Sequence, residues 1–307
     1  MTARIAAALT VGFFSALSWG SWTPAAEHSA GGGITASLAD FGAAARESSR
    51  RAIGELPLER IAPAHREAIA HFSQATTLHR RLPAETIHCE PELLDFLLTK
   101  PESLVDIWRV LGISRVSLDP VAQGQWQLSD GYGTVGTVRL LHHERHDTGG
   151  LLVFHGRGGY SGPLSPKNLS GSCLLVIRYR DLGQVDGRAS QQVEMEAFLD
   201  VDGLGLELVT RTLQPLIIRS AAANLHEICL FVSQFAAAAG RNPTGIARLA
   251  DRMNRTPPAD RTALVTAACS RRRTAARPMP QAGSTADLHD ELAARWMSVE
   301  SLDSMRR

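Results

Sequence analysis

Four side chains in this sequence have the chemistry and placement to contact a ligand: Asn224, Arg178, Trp126 and His155. Asn224 falls within a helical stripe of Ile217, Ala221, Ile228 and Phe231. At 100° per residue it shares their face, and an amide buried there needs a partner from strand backbone, buried water or ligand. His226 points about 200° away from it, toward solvent. Arg178 interrupts the apolar run Leu174 to Tyr179 and alternates onto the face of Leu174 and Val176. If that face is inward, its guanidinium suits a ligand carboxylate or phosphate. Trp126, on the short run Gln125 to Leu128, completes the set of candidate ligand contacts, and His155 or a carboxylate is the general base that an enzymatic reading requires.

Other reactive-looking segments lose their claims on inspection. His142-His143-Glu144-Arg145-His146 offers nitrogen ligands, but its order is not HExxH and a third ligand is missing. His155-Gly156-Arg157-Gly158-Gly159-Tyr160-Ser161-Gly162 lacks both a GxSxG elbow and the Lys-Ser/Thr of a phosphate loop, and reads as a glycine-rich turn leaving a strand. Glu194, Glu196, Asp200 and Asp202 alternate with Val193, Met195, Ala197, Leu199 and Val201, which makes them the wet face of a strand. Cys89, Cys173, Cys229 and Cys269 have no metal-ligand spacing; they read as buried apolar thiols or as unassigned disulfide partners. No catalytic residue, metal or cofactor is assigned.

These residues need elements to position them. Runs at Ile113 to Leu118, Gln125 to Leu128, Thr134 to His143, Leu151 to Gly156, Cys173 to Tyr179, Val193 to Val201 and Leu206 to Leu213 read as strands, with Asp202-Gly203 as a hairpin turn. Short connections favour antiparallel neighbours. Pro215 then opens an amphipathic helix running to Ala239. Upstream, Thr86 to Cys89 reads as a strand, followed by helices over Pro91 to Leu98 and Glu102 to Leu111. A one-face-apolar sheet and a one-face-apolar helix bury each other. The expectation is an α+β fold: a curved antiparallel sheet of about seven or eight strands packed on a long C-terminal helix.

At the ends the chain changes character. Arg4 followed by the uncharged run Ile5 to Trp19 reads as a signal peptide over residues 1–26, or as an anchor if uncleaved. Gly31-Gly32-Gly33 is a joint, and helices over Ser37 to Ile53 and Pro63 to Arg80, whose apolar residues include Phe41, Ile69 and Phe72, read as peripheral. The compact domain spans residues 85–240. Beyond Gly240 a short helix leads into a mostly disordered basic tail with Arg271-Arg272-Arg273, suited to weak contact with a membrane or an acidic partner. With 32 Lys+Arg against 31 Asp+Glu in 307 residues, no overall field recruits nucleic acid.

The order of strand Thr86 to Cys89, helices within Pro91 to Leu111, antiparallel strands and helix Pro215 to Ala239 resembles the helix-grip domains of the START and polyketide-cyclase superfamily. The resemblance covers roughly half of the chain and implies a sheet-helix cavity holding a lipid, sterol, polyketide or other apolar molecule. With the export signal, the expected function is a non-enzymatic, exported binding or carrier domain, periplasmic or secreted. The alternatives are a cyclase- or hydrolase-type cavity enzyme and a structural protein without a ligand.

Overall fold

The computed structural model describes residues 34–161 and 169–270. Eight strands form one antiparallel sheet: β1 (Leu78–Arg81), β2 (Glu85–Ile87), β3 (Ser117–Ala122), β4 (Gln125–Ser129), β5 (Thr134–His146), β6 (Gly149–Tyr160), β7 (Leu169–Val185) and β8 (Arg188–Val201). From β3 to β8 each strand pairs with the next, and β1 and β2 both add to the far side of β8. The helices are α1 (Ile34–Gly54), α2 (Pro63–Ala75), α3 (Pro91–Thr99), α4 (Pro101–Val110), α5 (Leu204–Arg241), α6 (Pro243–Arg252) and α7 (Pro258–Ala268). The architecture is therefore α+β, a curved antiparallel sheet against a long helix that follows the last strand.

Side-chain alternation sends consecutive strand residues into two separate cores. Leu152, Phe154, Leu175, Ile177 and Met195 join Trp108 of α4 and Phe231 and Phe235 of α5 on the helical face. Leu151, Val153, Leu174, Val176 and Phe198 join Ile53, Ile69 and Phe72 of α1 and α2 on the other. The sheet is thus covered on both sides, giving three layers. Each large apolar side chain buried this way contributes roughly 1.5–3 kcal/mol. On the helical face, α4 packs on β3 while α5 packs on β1, β2 and β8 at the opposite edge.

Several expectations need correction. The second sheet face is not wet: Glu196 lies beneath the α1–α2 hairpin with its side chain 2% exposed. The two helices read as peripheral form that cover, and Ile69 and Phe72 are fully buried. The second of them stops at Ala75, so that Leu78–Arg81 becomes β1. Residues 206–213 are not a strand but the first turns of α5, which starts at Leu204 and carries Pro215 inside it. After Gly240 two helices follow instead of one, and Ile246, Leu249, Met253 and Leu264 belong to the helical-face core. Buried Asp106 of α4 anchors them: its Oδ2 accepts from the Thr256 amide at 2.9 Å and the Thr256 hydroxyl at 3.0 Å. The leader at residues 1–26, the triple glycine and the Arg271 cluster lie outside the described residues, as does the side chain of Phe41.

Candidate functional site

Across the middle of the sheet, strand register aligns three glycines: Gly136 of β5 pairs with Gly158 of β6, which pairs with Gly171 of β7. In the adjacent row Gly156 stands between Val138 and Cys173. Alternation with Val138, Phe154 and Cys173, all in the helical-face core, places the four glycines on that face. The glycines are needed where the strands meet closely. A Cβ on Gly136 would lie 2.7 Å from the Arg157 carbonyl oxygen, and one on Gly158 would lie 2.7 Å from that of Val135. The segment read as a glycine-rich turn is instead the end of β6, and its glycines make a floor without side chains of its own on the helical face of the sheet.

The rim of this floor is built from bulkier residues. Thr134 and Tyr160, paired in the next row outward, are both buried. The Thr134 amide donates to Asp130 Oδ1 at 2.9 Å, yet its Oγ1 has no hydrogen-bond partner. A hydroxyl left unsatisfied in a buried position costs about 1–3 kcal/mol, and a ligand acceptor or donor would recover it. On the β4 side stand Leu128, paired with Gly136, and Trp126, paired with Val138. The Trp126 ring lies 6.2 Å from that of Phe154, and its Nε1 donates to Glu102 Oε2 at 2.7 Å. Burial holds the Glu102 carboxyl above its ordinary pKa, against the lowering effects of its own backbone, the indole N–H and Lys100.

The other expected contacts do not join this floor. Asn224 is buried on the sheet-facing side of α5 as expected, but at the other end. Its near neighbour His226 bonds Glu85, and Glu85 pairs with Val193, eight residues along β8 from Val201 beside Gly171. At strand rise that is about 26 Å. Arg178 does share a face with Leu174 and Val176, but the face is the one under α1 and α2. There it donates from Nη1 to Glu196 Oε2 at 2.8 Å, while Arg81 Nε donates to Glu196 Oε1 at 2.6 Å. His155 lies on that same face, its ring 6.0 Å from Phe72, and burial together with Arg139, Arg157 and His71 holds its pKa below the ordinary value. Of the four, Trp126 alone borders the glycine floor.

A second polar cluster escaped the sequence reading. Asp95 of α3 accepts from the Tyr179 hydroxyl at 2.7 Å, lies 3.0 Å from His143 Nε2 and pairs with Arg145 Nη1 at 3.3 Å. The Tyr179 ring lies across Gly150, where any Cβ would come within 2.6 Å of it. This cluster fastens α3 to the sheet. Among the described residues no group of three or more His, Cys, Asp and Glu side chains is arranged to hold a metal. Among the described strand residues, register places one hydroxyl, Thr134, and one phenol, Tyr160, beside the floor. The sequence signal for the floor was present: Gly156 and Gly158, two residues apart, must share a face once the segment is a strand.

No family model and no curated protein matches the chain. Among solved structures, the crystal structure of the Mll3558 protein from Rhizobium loti is similar at 20% sequence identity, covering 48% of this chain and 97% of that one, with a TM-score of 0.26. A likeness that slight carries no argument about this chain.

Proposed function

We propose that this chain is an exported, non-enzymatic carrier that holds an apolar small molecule, of lipid type, on the glycine floor of the sheet's helical face. The observation that carries the proposal is the in-register row Gly136–Gly158–Gly171 beside the buried, unpartnered Thr134 hydroxyl. Apolar surface supplies most of the affinity at about 25 cal/mol per Å² removed from water, and the threonine orients one polar end. The resemblance to helix-grip domains supports the same reading, and the apolar leader supports export.

The test uses Trp126 as a reporter. A brominated fatty acid seated on the floor quenches indole emission by contact. Titration of the full chain is expected to give saturable quenching that is lost in Trp126→Phe and kept in Trp108→Phe. Quenching that is absent, or independent of Trp126, overturns the placement.

A further inference from the structure

We propose that the α1–α2 hairpin is an acid-releasable cover that opens from the sheet at mildly acidic pH while the helical-face core stays folded. Two imidazoles lie inside the seam it closes. The His79 ring stacks on Phe198 at 4.5 Å, its Nδ1 lies 2.8 Å from the Ser48 hydroxyl of α1, and its Nε2 is buried without a hydrogen-bond partner. The His155 ring packs edge-on to Phe72 of α2. Both rings fit the seam as neutral imidazoles, because protonation would bury a cation against an aromatic core.

Burial sets the direction for both rings, with Glu196 and Glu55 opposing it at His79, and the charges facing each ring come second. His79 meets Arg80 and Arg81 from β1, Glu196 from β8 and Glu55 from the end of the hairpin's first helix; Glu196 is already bonded to Arg81 and Arg178. His155 meets Arg139 from β5, Arg157 from β6 and His71 from α2, with no carboxylate among them. Burial is the first cause of the lowered pKa of both histidines. A histidine whose folded pKa is depressed binds more protons when released, so the contact it stabilises weakens as pH falls below the ordinary histidine value near 6.5.

The seam also holds two other histidine contacts. His65 donates from Nδ1 to the Leu141 carbonyl, and His71 Nε2 lies 2.9 Å from Asp200 Oδ2. Half of the His71 side chain is exposed, so its pair with Asp200 is screened and contributes little. On the helical face His143 lies against Asp95 and His88 is bonded to Ser190. The two buried imidazoles thus lie on one side of the sheet. Opening would expose the apolar patch of Leu141, Leu151, Val153, Leu174, Val176 and Phe198.

Hydrogen exchange of the full chain, followed by mass spectrometry and corrected for intrinsic rates, tests this between about pH 7.5 and pH 5. Expected is a loss of protection in α2 at least about tenfold greater than in α6 and α7, one decade per proton taken up per pH unit. His79→Gln with His155→Gln, which cannot charge, should abolish the difference. Equal loss on both faces, no loss, or undiminished pH sensitivity in the double variant overturns the proposal. Should that variant not fold, the wild-type histidine Cε1 proton resonances serve instead. Two of them must titrate with the midpoint of hairpin opening, and titration that is uncoupled from opening is equally fatal.

Discussion

Arg178 and Glu196 are joined diagonally across the β7–β8 ladder: Val176 is the direct neighbour of Glu196, yet Arg178 Nη1 reaches its Oε2 at 2.8 Å. With Arg81 on its other oxygen, the carboxylate is shared between two guanidiniums beneath the α1–α2 hairpin. A residue expected to meet a ligand's acid thus meets one supplied by the neighbouring strand.

Glu196→Gln should therefore destabilise the domain by about 3 kcal/mol, within the range for breaking a buried ion pair from one side. Burial pushes the Glu196 pKa up, but the hydrogen bonds and charges of Arg178 and Arg81 bring it below the ordinary value. Its stabilising contribution is then present above the unfolded carboxylate pKa and lost as pH falls through that value toward the folded one. Urea unfolding at several pH values should show the gap between wild type and variant closing at strongly acidic pH.

Glu102 behaves oppositely. Its folded pKa is raised, so its favourable contribution is full at low pH and lost as pH rises through the folded value. Glu102→Gln keeps an acceptor for the Trp126 indole and removes the buried charge. Thermal melts should show the variant at least as stable as wild type at neutral pH, with that relative gain vanishing below about pH 4.

Tyr179 is held against ionisation by its surroundings. Burial, the hydrogen bond to Asp95 and that residue's charge all push its pKa up, with Arg145 opposing. A spectrophotometric titration should show one tyrosine ionising above the ordinary tyrosine value near 10. Asp95→Asn should bring it earlier and cost about 1–3 kcal/mol by weakening the tie between α3 and the sheet.

Thiol reactivity should divide the cysteines three to one. Cys89, Cys173 and Cys229 are buried, and burial pushes the Cys173 and Cys229 thiols up to about 12 and raises Cys89 as well. Cys269 at the end of α7 is only half-buried. Under native conditions a disulfide reagent should label Cys269 first, and the other three should follow only at the rate of unfolding. Rapid labelling of two or more would contradict the packing.

Much of the sheet was legible because alternation is a local signal. Val193 to Val201 shows it in sequence, and β8 sends Val193, Met195, Ala197 and Leu199 into the helical-face core as that alternation predicts. What alternation does not reveal is the cover on each face, so four acidic residues read as solvated, although Glu196 is paired under a helix. The start of α5 was misread because its leucines two apart fit a strand template and Pro215 looked like a first turn. Helix continues through the proline there, at the loss of one backbone donor. The candidate site was partly legible: Trp126 stands on its border, but Asn224 is buried at the other end of α5 and Arg178 and His155 lie on the opposite face, because strand register and helix direction, not spacing, decide which residues converge.

The most direct test of the carrier reading is native mass spectrometry of the full chain purified from an exporting host, with gentle ionisation and lipid exchange. The account predicts a single apolar molecule bound one to one, exchangeable with added fatty acid, and bound more weakly by Thr134→Val. A chain that carries nothing, acquires nothing on exchange and shows residues of α5 filling the space above Gly136, Gly158 and Gly171 would contradict it.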